Sequence, residues 1–370
     1  MSYDVLVIGG GIGGLCAAIA LGRDGHRVTV IEKDPEWSVY GVGIIQQANV
    51  VRAMDALGVL DDFLSAASGF DAVEVFIPDG TCVARVPSPR LVADRPANVG
   101  ISRKALQKVL AAGARSAGAD IRLGVTVTGF DERQDQLRVA FSDGSEAAFD
   151  FAVGADGVYS QTRAMVLPQA ETPNFTGQAV WRYNFPRPAG LEALQVYNGP
   201  MGVGLVPMSD TQMYLFATTP EPDNPRYPQQ GLAAAMQSKL AQCAPQIRAL
   251  ASQITEDNEV VYRPLDAMLV TGPWHGGRVV LLGDAVHATT PHLGQGAGMA
   301  IEDAIVLAEE ISRNADLDST FTAYRNRRFE RCRYIVESSL AICHGQLGKG
   351  PAIDNHKATA EMFALVSQPI

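Results

Sequence analysis

The chain has 370 residues, which is enough for one large or two medium-sized domains with a full hydrophobic core. A small scaffold held together by disulfides is therefore excluded. Because 30 Lys and Arg residues stand against 40 Asp and Glu residues, the net charge of -10 argues against nucleic acid or anionic lipid as the main partner.

The five cysteines are scattered along the chain and lack the spacing of metal-binding or redox pairs. We therefore expect no metal site, and we expect a reducing, cytoplasmic location. The apolar run from Val5 to Gly22 carries no charge, but its regularly spaced glycines and the lack of a basic flank argue against a membrane span or signal peptide. No stable membrane insertion is expected.

The chain opens with a βαβ pattern. A β-rich apolar run covers 3–8, glycines supply a turn at 9–14, a helical pattern ends near Gly25, and a second strand covers 27–32. Apolar residues at helical spacing predict a helix over 46–60, and Ser102 is placed to cap a helix before a strand at 120–123. Apolar runs around the Asp-Gly pairs at 79–80 and 143–144 predict two β-hairpins.

The character of the chain changes near residue 176. Strand-like runs are followed by a proline-rich loop and two amphipathic helical patterns, and the strand, glycine turn and helix pattern returns near Arg278. These changes predict a discontinuous nucleotide-binding domain over 1–72, 95–175 and 265–330. A sheet domain over 73–94 and 176–264 would interrupt it, and C-terminal helices would cover 331–370.

The glycines of the first turn form the pattern Gly9-x-Gly11-x-x-Gly14 between a predicted strand and a predicted helix. Gly9 permits the tight turn, Gly11 lets a pyrophosphate approach the backbone, and Gly14 lets the helix pack on the strand. Glu32, at the end of the second strand, can accept hydrogen bonds from a ribose diol. The motif predicts a bound dinucleotide and leaves NAD and FAD both open.

Two further motifs distinguish between these cofactors. Residues 151–163 read FAVGADGVYSQTR, and residues 279–304 read VVLLGDAVHATTPHLGQGAGMAIEDA. With these motifs the sequence resembles the single-component FAD-dependent monooxygenases related to para-hydroxybenzoate and salicylate hydroxylases. The resemblance implies an α/β fold in which a discontinuous, Rossmann-like FAD-binding domain carries an inserted antiparallel-sheet substrate domain and a C-terminal helical segment.

The resemblance implies a role for each matching position. Glu32 would bind the adenosine ribose, Arg103 would lie near the FAD ribose and pyrophosphate, and Asp284 would hold the ribityl hydroxyls. Asp156 would support the turn beside the pyrophosphate, and residues 291–298 would pass the flavin ring with their N–H groups directed at N1 and C2=O. The expected cofactor-binding residues are Gly9, Gly11, Gly14, Glu32, Lys33, Gly43, Arg103, Asp156, Gly157, Gly283, Asp284, Gly294, Gly296 and Ala297.

The resemblance also implies the reaction. In that family NADH or NADPH reduces the flavin, O2 forms a flavin C4a-hydroperoxide, and its distal oxygen is transferred to an electron-rich aromatic ring. The protein orients the substrate and excludes water. The expected substrate is a small phenolic, aminoaromatic or N-heteroaromatic acid, the choice between NADH and NADPH is open, and the family suggests a homodimer.

Contacts to the substrate are expected from the inserted sheet, and the candidate residues are Arg182, Tyr183, Tyr197 and Tyr214. Because alternate residues of a strand point to opposite faces, Trp181, Tyr183 and Phe185 share one face and Arg182 and Asn184 the other. A guanidinium can bind a carboxylate or phenolate through two hydrogen bonds, so Arg182 is a candidate anion ligand. Core packing is the alternative for each aromatic residue.

The expected catalytic residues are Pro291 and His292, beside the flavin-approaching loop. An imidazole titrates near neutral pH, so His292 could relay a proton from a phenol. His287 falls in a motif whose role in the family is structural. The arginines of the segment 323–333 are interpreted as a solvated or salt-bridged helix face.

Other chemistry on the same fold stays open from the sequence. The main alternative is an FAD-dependent oxidase or dehydrogenase without oxygen transfer, and a flavin-binding regulatory protein is another. A halogenase is disfavoured because the three tryptophans are too far apart to form a WxWxIP segment. Stoichiometry separates a hydroxylase from an oxidase, since a coupled hydroxylase places one oxygen atom in the product per NAD(P)H, whereas an oxidase yields H2O2 and no oxygenated product.

Overall fold

The computed structural model describes residues 2–39, 41–133, 135–199, 201–313 and 316–370. Its strands are β1 (Asp4–Ile8), β2 (Arg27–Glu32), β3 (Gly43–Gln46), β4 (Ser68–Phe70), β5 (Ala72–Phe76), β6 (Cys82–Pro87), β7 (Asn98–Ser102), β8 (Asp120–Leu123), β9 (Val127–Arg133), β10 (Gln136–Phe141), β11 (Glu146–Phe149), β12 (Phe151–Gly154), β13 (Asn174–Pro186), β14 (Leu194–Tyr197), β15 (Gly202–Pro207), β16 (Gln212–Pro220), β17 (Val261–Ala267), β18 (His275–Gly276) and β19 (Val279–Leu281).

The helices alternate with these strands in the first part of the chain and dominate its end. They are α1 (Ile12–Arg23), α2 (Ala48–Ala56), α3 (Leu60–Ser65), α4 (Arg103–Ser116), α5 (Gln161–Val166), α6 (Leu232–Leu240), α7 (Pro245–Ala251), α8 (Asp284–His287), α9 (Gly296–Arg313), α10 (Leu317–Gln346) and α11 (Asn355–Ser367).

A six-stranded sheet with the order β18-β19-β12-β1-β2-β8 organises the first domain. The pairs among β19, β12, β1, β2 and β8 are all parallel. The predicted βαβ opening is thus confirmed, with α1 connecting β1 to β2. Since parallel strands end at the same edge of a sheet, the turns after β1, β12 and β19 lie side by side, and such an edge is where α/β folds bind ligands.

The second large sheet has seven strands in the order β17-β13-β16-β15-β14-β5-β6. Its strands pair antiparallel except for β14 and β5, which run parallel. It therefore combines a hairpin from early in the chain with strands from 174–267. This mixed α/β architecture confirms the predicted fold class, while the residue bounds of the domains stay a prediction.

The two faces of the seven-stranded sheet have different neighbours. One face carries Trp181, Leu205 and Leu215, which pack in a buried cluster with Met236 of α6 and Ile247 of α7. The other face meets the small sheet β3-β7-β4 of the first domain. A Cβ at Gly43 would clash with the Tyr214 ring, and one at Gly100 would clash with the Pro207 carbonyl oxygen. Glycines therefore let the backbones approach closely here.

Several local predictions are confirmed. The hairpins around 79–80 and 143–144 form as antiparallel pairs, and Ser102 caps α4 by accepting a hydrogen bond from the Ala105 N–H at 3.1 Å. The predicted helix over 46–60 is wrong in extent. Gln46 ends β3, α2 ends at Ala56, and Gly58 adopts a φ of +70°, which separates α2 from α3.

The long helices α9 and α10 pack together against the first domain, and α11 packs on α10 and α2. In the part of the chain that the structure describes, no helix combines the length and apolarity needed to span a bilayer. All five cysteines are free thiols.

The close contact between Gly100 and the Pro207 carbonyl oxygen leads to a prediction about stability. In Gly100→Ala the new methyl group meets the Pro207 carbonyl oxygen, which belongs to a strand backbone and cannot rotate away. We expect the free energy of unfolding, measured by urea denaturation, to fall by about 1–3 kcal/mol. Gly129→Ala is the matched control, because nothing lies within 4 Å of its added Cβ. Equal stability of the two variants would contradict the prediction.

Candidate functional site

The glycine turn lies between β1 and α1, and its three glycines meet different surroundings. Gly9 has a φ of +107°, and a Cβ on it would clash with the Ala155 carbonyl. A Cβ on Gly14 would clash with the Gly9 carbonyl oxygen, whereas one on Gly11 would meet nothing within 4 Å. Gly9 and Gly14 are thus required by packing, and Gly11 leaves open space at the start of α1 for an anionic group.

Glu32, at the end of β2, holds the same turn. Its carboxylate accepts hydrogen bonds from the Gly10 N–H and the Asp34 N–H, each at 2.9 Å. Each carboxylate oxygen keeps further acceptor capacity for a ribose hydroxyl. Lys33 is exposed and forms no hydrogen bond or ion pair with the described residues.

The second turn of this edge follows β12. Asp156 accepts hydrogen bonds from the Ser160 hydroxyl at 2.5 Å, the Thr162 N–H at 2.9 Å and the Thr162 hydroxyl at 3.0 Å. These bonds occupy the carboxylate within its own turn. Gly157 has a φ of +84° and open space around its α-carbon. The turn therefore presents backbone, rather than the Asp156 side chain, to a ligand.

The third turn, after β19, presents a free carboxylate. Gly283 has a φ of +63° and donates its N–H to Asp303 Oδ2 at 2.9 Å. Asp284 follows with its side chain accessible from the cleft, and the protein atoms that surround it desolvate the carboxylate and raise its pKa, while His287 and Arg103 oppose this. Within the described ranges, no hydrogen bond or ion pair holds the Asp284 carboxylate. An unpartnered acceptor of this kind fits the hydroxyl groups of a ribityl chain.

The loop 291–297 leads from a short 3-10 turn into α9. Gly294 has a φ of +67°, Ala297 is half-buried, and Gly296 begins the helix. Between the glycines, Gln295 is buried and exchanges two hydrogen bonds of 3.0 Å with the Asn49 amide, and it also donates to Gln47. The loop is thereby pinned to α2, with the N-terminus of α9 behind it.

A buried ion-pair network lies under both the Gly283 turn and this loop. Arg328 is 1% exposed and bonds Glu302 Oε2 and Asp303 Oδ1, each at 2.8 Å. Asp303 also contacts His287 Nε2 at 2.5 Å, and Glu302 accepts a hydrogen bond from Asn49 at 2.9 Å. Burial alone would favour protonated Asp303, but His287 and Arg328 outweigh it and lower the Asp303 pKa to about 2.

The same cluster brings Cys332, His287 and Asp303 within 4.8 Å of one another. Three such side chains could in principle hold a metal ion. Because Asp303 is bonded to Arg328, His287 and the Gly283 N–H, its oxygens are engaged, and the arrangement supports a structural ion-pair network.

His292 has both ring nitrogens engaged. Nδ1 lies 2.9 Å from the Thr290 hydroxyl, and Nε2 lies 3.1 Å from Gln346 Oε1 on α10. Burial lowers the pKa of His292, although the bond to Gln346 opposes the shift. The preceding Pro291 is half-buried at the start of the 3-10 turn. This geometry ties the loop to α10, and a free proton acceptor at His292 would require one of these contacts to open.

The four predicted substrate residues do not share one face. In the β13–β16 register, Arg182 pairs with Phe216 and Asn184 with Tyr214, so Arg182 and Tyr214 lie on the face toward the first domain. Tyr183 and Tyr197 lie on the opposite face, in the cluster covered by α6 and α7. The structure therefore brings together Arg182 and Tyr214 and places Tyr183 and Tyr197 elsewhere.

Arg182 is a cation that has no counter-ion among the described residues. Its half-buried guanidinium forms no hydrogen bond or ion pair with the described residues. Burial, together with the like charge of Arg103, lowers its pKa to about 10, so it stays protonated at neutral pH. Burial raises the pKa of Tyr214 to about 12, opposed by Arg182 and Arg103. Arg103 thus connects this face electrostatically with Asp284 at the cofactor edge.

An orphaned polar atom marks the same face. Asn184 donates from Nδ2 to the Gly41 carbonyl oxygen at 2.7 Å, but its buried Oδ1 has no partner among the described residues. Gly43, expected to approach the cofactor, packs its α-carbon against the Tyr214 ring. Segment 41–43 therefore contacts β13 through Asn184 and β16 through Tyr214.

Sequence reasoning missed three contributors, Asn49, Gln47 and Arg328. Their contacts with Gln295, Glu302 and Asp303 join residues far apart in the chain, and such pairs leave no local periodicity. A usable signal was the occurrence of several arginines near 328 together with the adjacent acidic pair at 302–303. The interpretation of the arginine segment as a salt-bridged face is confirmed, but Arg328 lies in the core.

The lowered pKa of His292 leads to a prediction about how stability depends on pH. Because its folded-state pKa lies below the ordinary value of about 6.5, folding favours the neutral ring, and this stability is lost as the pH falls from about 6.5 through the folded-state pKa. We expect the drop in Tm between pH 7 and pH 5 to be smaller in His292→Gln than in the wild type. His344→Gln, an exposed change on α10, is the control. The same drop in wild type and His292→Gln would contradict the prediction.

Comparison with known proteins agrees with this geometry. The family model described as FAD binding domain matches residues 2–339. The putative FAD-dependent monooxygenase YetM of Bacillus subtilis is 30% identical over 98% of this chain and 99% of its own length. The FAD-dependent urate hydroxylase of Klebsiella oxytoca is 31% identical over 94% of this chain and 91% of its own.

A solved structure extends the comparison to the whole fold. HpxO of Klebsiella pneumoniae, complexed with FAD and uric acid, superimposes with a TM-score of 0.84 at 27% identity, covering 98% of this chain and 92% of that one. The open space at Gly11 and the Asp284 carboxylate, which has no hydrogen-bond partner among the described residues, are compatible with a bound FAD. The chain is an FAD-binding oxidoreductase, and it belongs to the FAD binding domain family together with FAD-dependent monooxygenases and aromatic hydroxylases.

Proposed function

We propose that the protein uses NADH or NADPH and O2 to hydroxylate a small aromatic or heteroaromatic substrate that carries a negative charge. The observation that carries this proposal is the Arg182 guanidinium, which pairs with no described residue and lies on the sheet face that meets the first domain. Arg103 and Arg263 add like charges near it, so binding an anion relieves repulsion as well as forming hydrogen bonds. The urate hydroxylase relative acts, by its name, on a heteroaromatic compound.

Different residues of the chain would bind different parts of FAD. Gly9, Gly11 and Gly14 would admit the pyrophosphate at the start of α1, with Arg103 and Gly157 beside it. Glu32 and Lys33 would lie at the adenosine ribose, and Asp284 would accept hydrogen bonds from the ribityl hydroxyls. The N–H groups of Gly294, Gly296 and Ala297 would stabilise the negative charge that the reduced ring carries.

FAD, when bound, accepts reducing equivalents from NAD(P)H and activates O2 for transfer of one oxygen atom. Arg182 would orient the substrate's anionic group, and the Tyr214 hydroxyl, which has no partner among the described residues, would bind a second polar atom. Phe216 and Met208 offer apolar contacts on the same side. Pro291 would pack beside the flavin, and His292 would position the loop through Thr290 and Gln346.

In the balanced reaction, the substrate gains one oxygen atom, NAD(P)H is oxidised to NAD(P)+, and the other oxygen atom leaves as water after one proton is taken from solution. Substrate held by Arg182 would also exclude water from the cleft. The five free thiols support the further proposal that the protein works in a reducing, cytoplasmic environment.

The proposal is tested with FAD-loaded protein and a panel of phenolic, aminoaromatic and N-heteroaromatic acids, each with its neutral amide or ester analogue. NAD(P)H consumption, oxygenated product and peroxide are quantified together. We expect at least one acid to accelerate oxidation and to appear hydroxylated, with a lower KM than its neutral analogue. Peroxide accounting for all reducing equivalents with every compound would instead indicate an oxidase.

Removing the Arg182 guanidinium should separate charged from neutral substrates. In Arg182→Met we expect the KM of the acidic substrate to rise roughly 10- to 100-fold, because a charged hydrogen bond contributes about 1.5–3 kcal/mol. The KM of the neutral analogue should change little. Arg182→Lys keeps the charge but loses the paired hydrogen bonds of a guanidinium, so its KM for the acidic substrate should lie between those of the wild type and Arg182→Met. Equal KM changes for acid and analogue would exclude Arg182 as the anion ligand.

Asp284 makes the corresponding prediction for the cofactor. Asp284→Ala removes the free carboxylate, and we expect FAD affinity, measured by equilibrium dialysis, to weaken roughly 10- to 100-fold, since a charged acceptor contributes about 1.5–3 kcal/mol. Asp223→Ala, an exposed change in the loop after β16, is the control. If both variants retain FAD as the wild type does, the assignment of Asp284 to the ribityl hydroxyls is wrong.

A further inference from the structure

Trp37 lies against the glycine turn in an unusual backbone conformation. Its φ is +47°, and the other non-glycine residues with positive φ in the described part of the chain are Asp94 and Asn224. A bulky residue rarely adopts this region, so its surroundings must hold it there. This indicates that the Trp37 side chain has a role at the glycine turn that it contacts.

The segment around Trp37 is held from several directions. Asp34 accepts hydrogen bonds from the Glu36 N–H at 2.9 Å and the Ser38 N–H at 2.7 Å, which shapes the turn. The Trp37 carbonyl oxygen accepts a hydrogen bond from Gln107 Nε2 at 3.2 Å, and the Arg115 guanidinium lies 5.6 Å from the indole centroid. The indole is thereby fixed in position.

The indole N–H is directed at the dinucleotide turn. Trp37 Nε1 donates to the Gly10 carbonyl oxygen at 2.9 Å, while Glu32 accepts the Gly10 N–H. A Cβ on Gly10 would lie 2.8 Å from Trp37 Nε1, so no side chain fits between indole and turn. Both peptide units that flank Gly10 are thus oriented by side chains, one by Glu32 and the other by Trp37.

The consequence follows from peptide geometry. The Gly10 carbonyl and the Gly11 N–H belong to one planar trans peptide, in which C=O and N–H point in opposite directions. When the indole holds the Gly10 carbonyl on its side, the Gly11 N–H faces away from the indole. The α-carbon of Gly11 has open space around it. The peptide is therefore set before any cofactor binds.

We propose that Trp37 is a positioning residue for FAD, which fixes the peptide between Gly10 and Gly11 so that the Gly11 N–H donates to the FAD pyrophosphate. The inference concerns cofactor binding alone and does not depend on the substrate. If Trp37 served only packing, it would stabilise the fold without affecting the binding of the FAD phosphates.

The test compares variants that differ in the donor. Trp37→Phe keeps an aromatic ring and loses the N–H, and we expect apoprotein to bind FAD roughly three- to tenfold more weakly, the effect of one hydrogen bond worth about 0.5–1.5 kcal/mol. Trp37→His keeps a ring N–H and should recover part of the affinity. Trp181→Phe is the matched control, since it removes an indole bond of 2.9 Å to Thr219 on the other sheet.

The 31P NMR spectrum of bound FAD provides a readout that a packing role would not move. We expect the pyrophosphate resonances to shift in Trp37→Phe relative to the wild type and to stay unchanged in Trp181→Phe. Unchanged FAD affinity and unchanged 31P shifts in folded Trp37→Phe would overturn the proposal. An equal loss of affinity in Trp181→Phe would also overturn it, because the effect would then come from general destabilisation. If Trp37→Phe does not fold, Trp37→Leu, which also lacks the N–H donor, decides by the same two measurements.

Discussion

The buried ion pair between Arg328 and the carboxylates of α9 is the interaction on which the rest of the site depends. Taking three charges out of water is costly, and the cost is recovered only when every hydrogen-bonding group is satisfied. Glu302 and Asp303 meet this condition through further hydrogen bonds. Glu302 accepts one from Asn49, and Asp303 bonds His287 and the Gly283 N–H.

Through these bonds one network supports two cofactor-facing turns. Asn49 continues to Gln295 in the loop 291–297, and the Gly283 N–H fixes the turn that presents Asp284. The N-terminal part of the chain therefore meets helix α9 at Asn49, which bonds both Gln295 and Glu302. Loss of Arg328 would remove a partner shared by both carboxylates, and Glu302 would keep only Arg331 and Asp303 only His287 as buried ion-pair partners among the described residues.

A different constraint acts on the seven-stranded sheet, because alternate residues of each strand point to opposite faces. One face of the seven-stranded sheet is closed by α6 and α7, so its aromatic residues form a core. On the other face, which meets the β3-β7-β4 sheet, Arg182 forms no ion pair with any residue that the structure describes. Arg103 lies within electrostatic reach of both Arg182 and Asp284. Cofactor and anionic substrate are thus expected to influence each other's binding.

The sequence predicted those features that local patterns encode. The βαβ opening, the glycine turn, the capping by Ser102 and the alternation along β13 all follow from spacing over a few residues. Alternation separated Arg182 from Tyr183 but did not indicate which face the cofactor domain would meet. The indole of Trp37 on Gly10, the partners of Arg328 and the break at Gly58 depend on contacts or backbone angles that no local pattern reports.

We propose that the protein transfers one atom of O2 to an anionic aromatic substrate bound by Arg182. The most direct measurement is turnover of an active acid under 18O2, with the product analysed by mass spectrometry. We expect one 18O atom per product molecule and, in Arg182→Met, the same labelled product at a much higher substrate concentration. An oxidised product without 18O would contradict the claim, because the enzyme would then remove electrons without transferring oxygen.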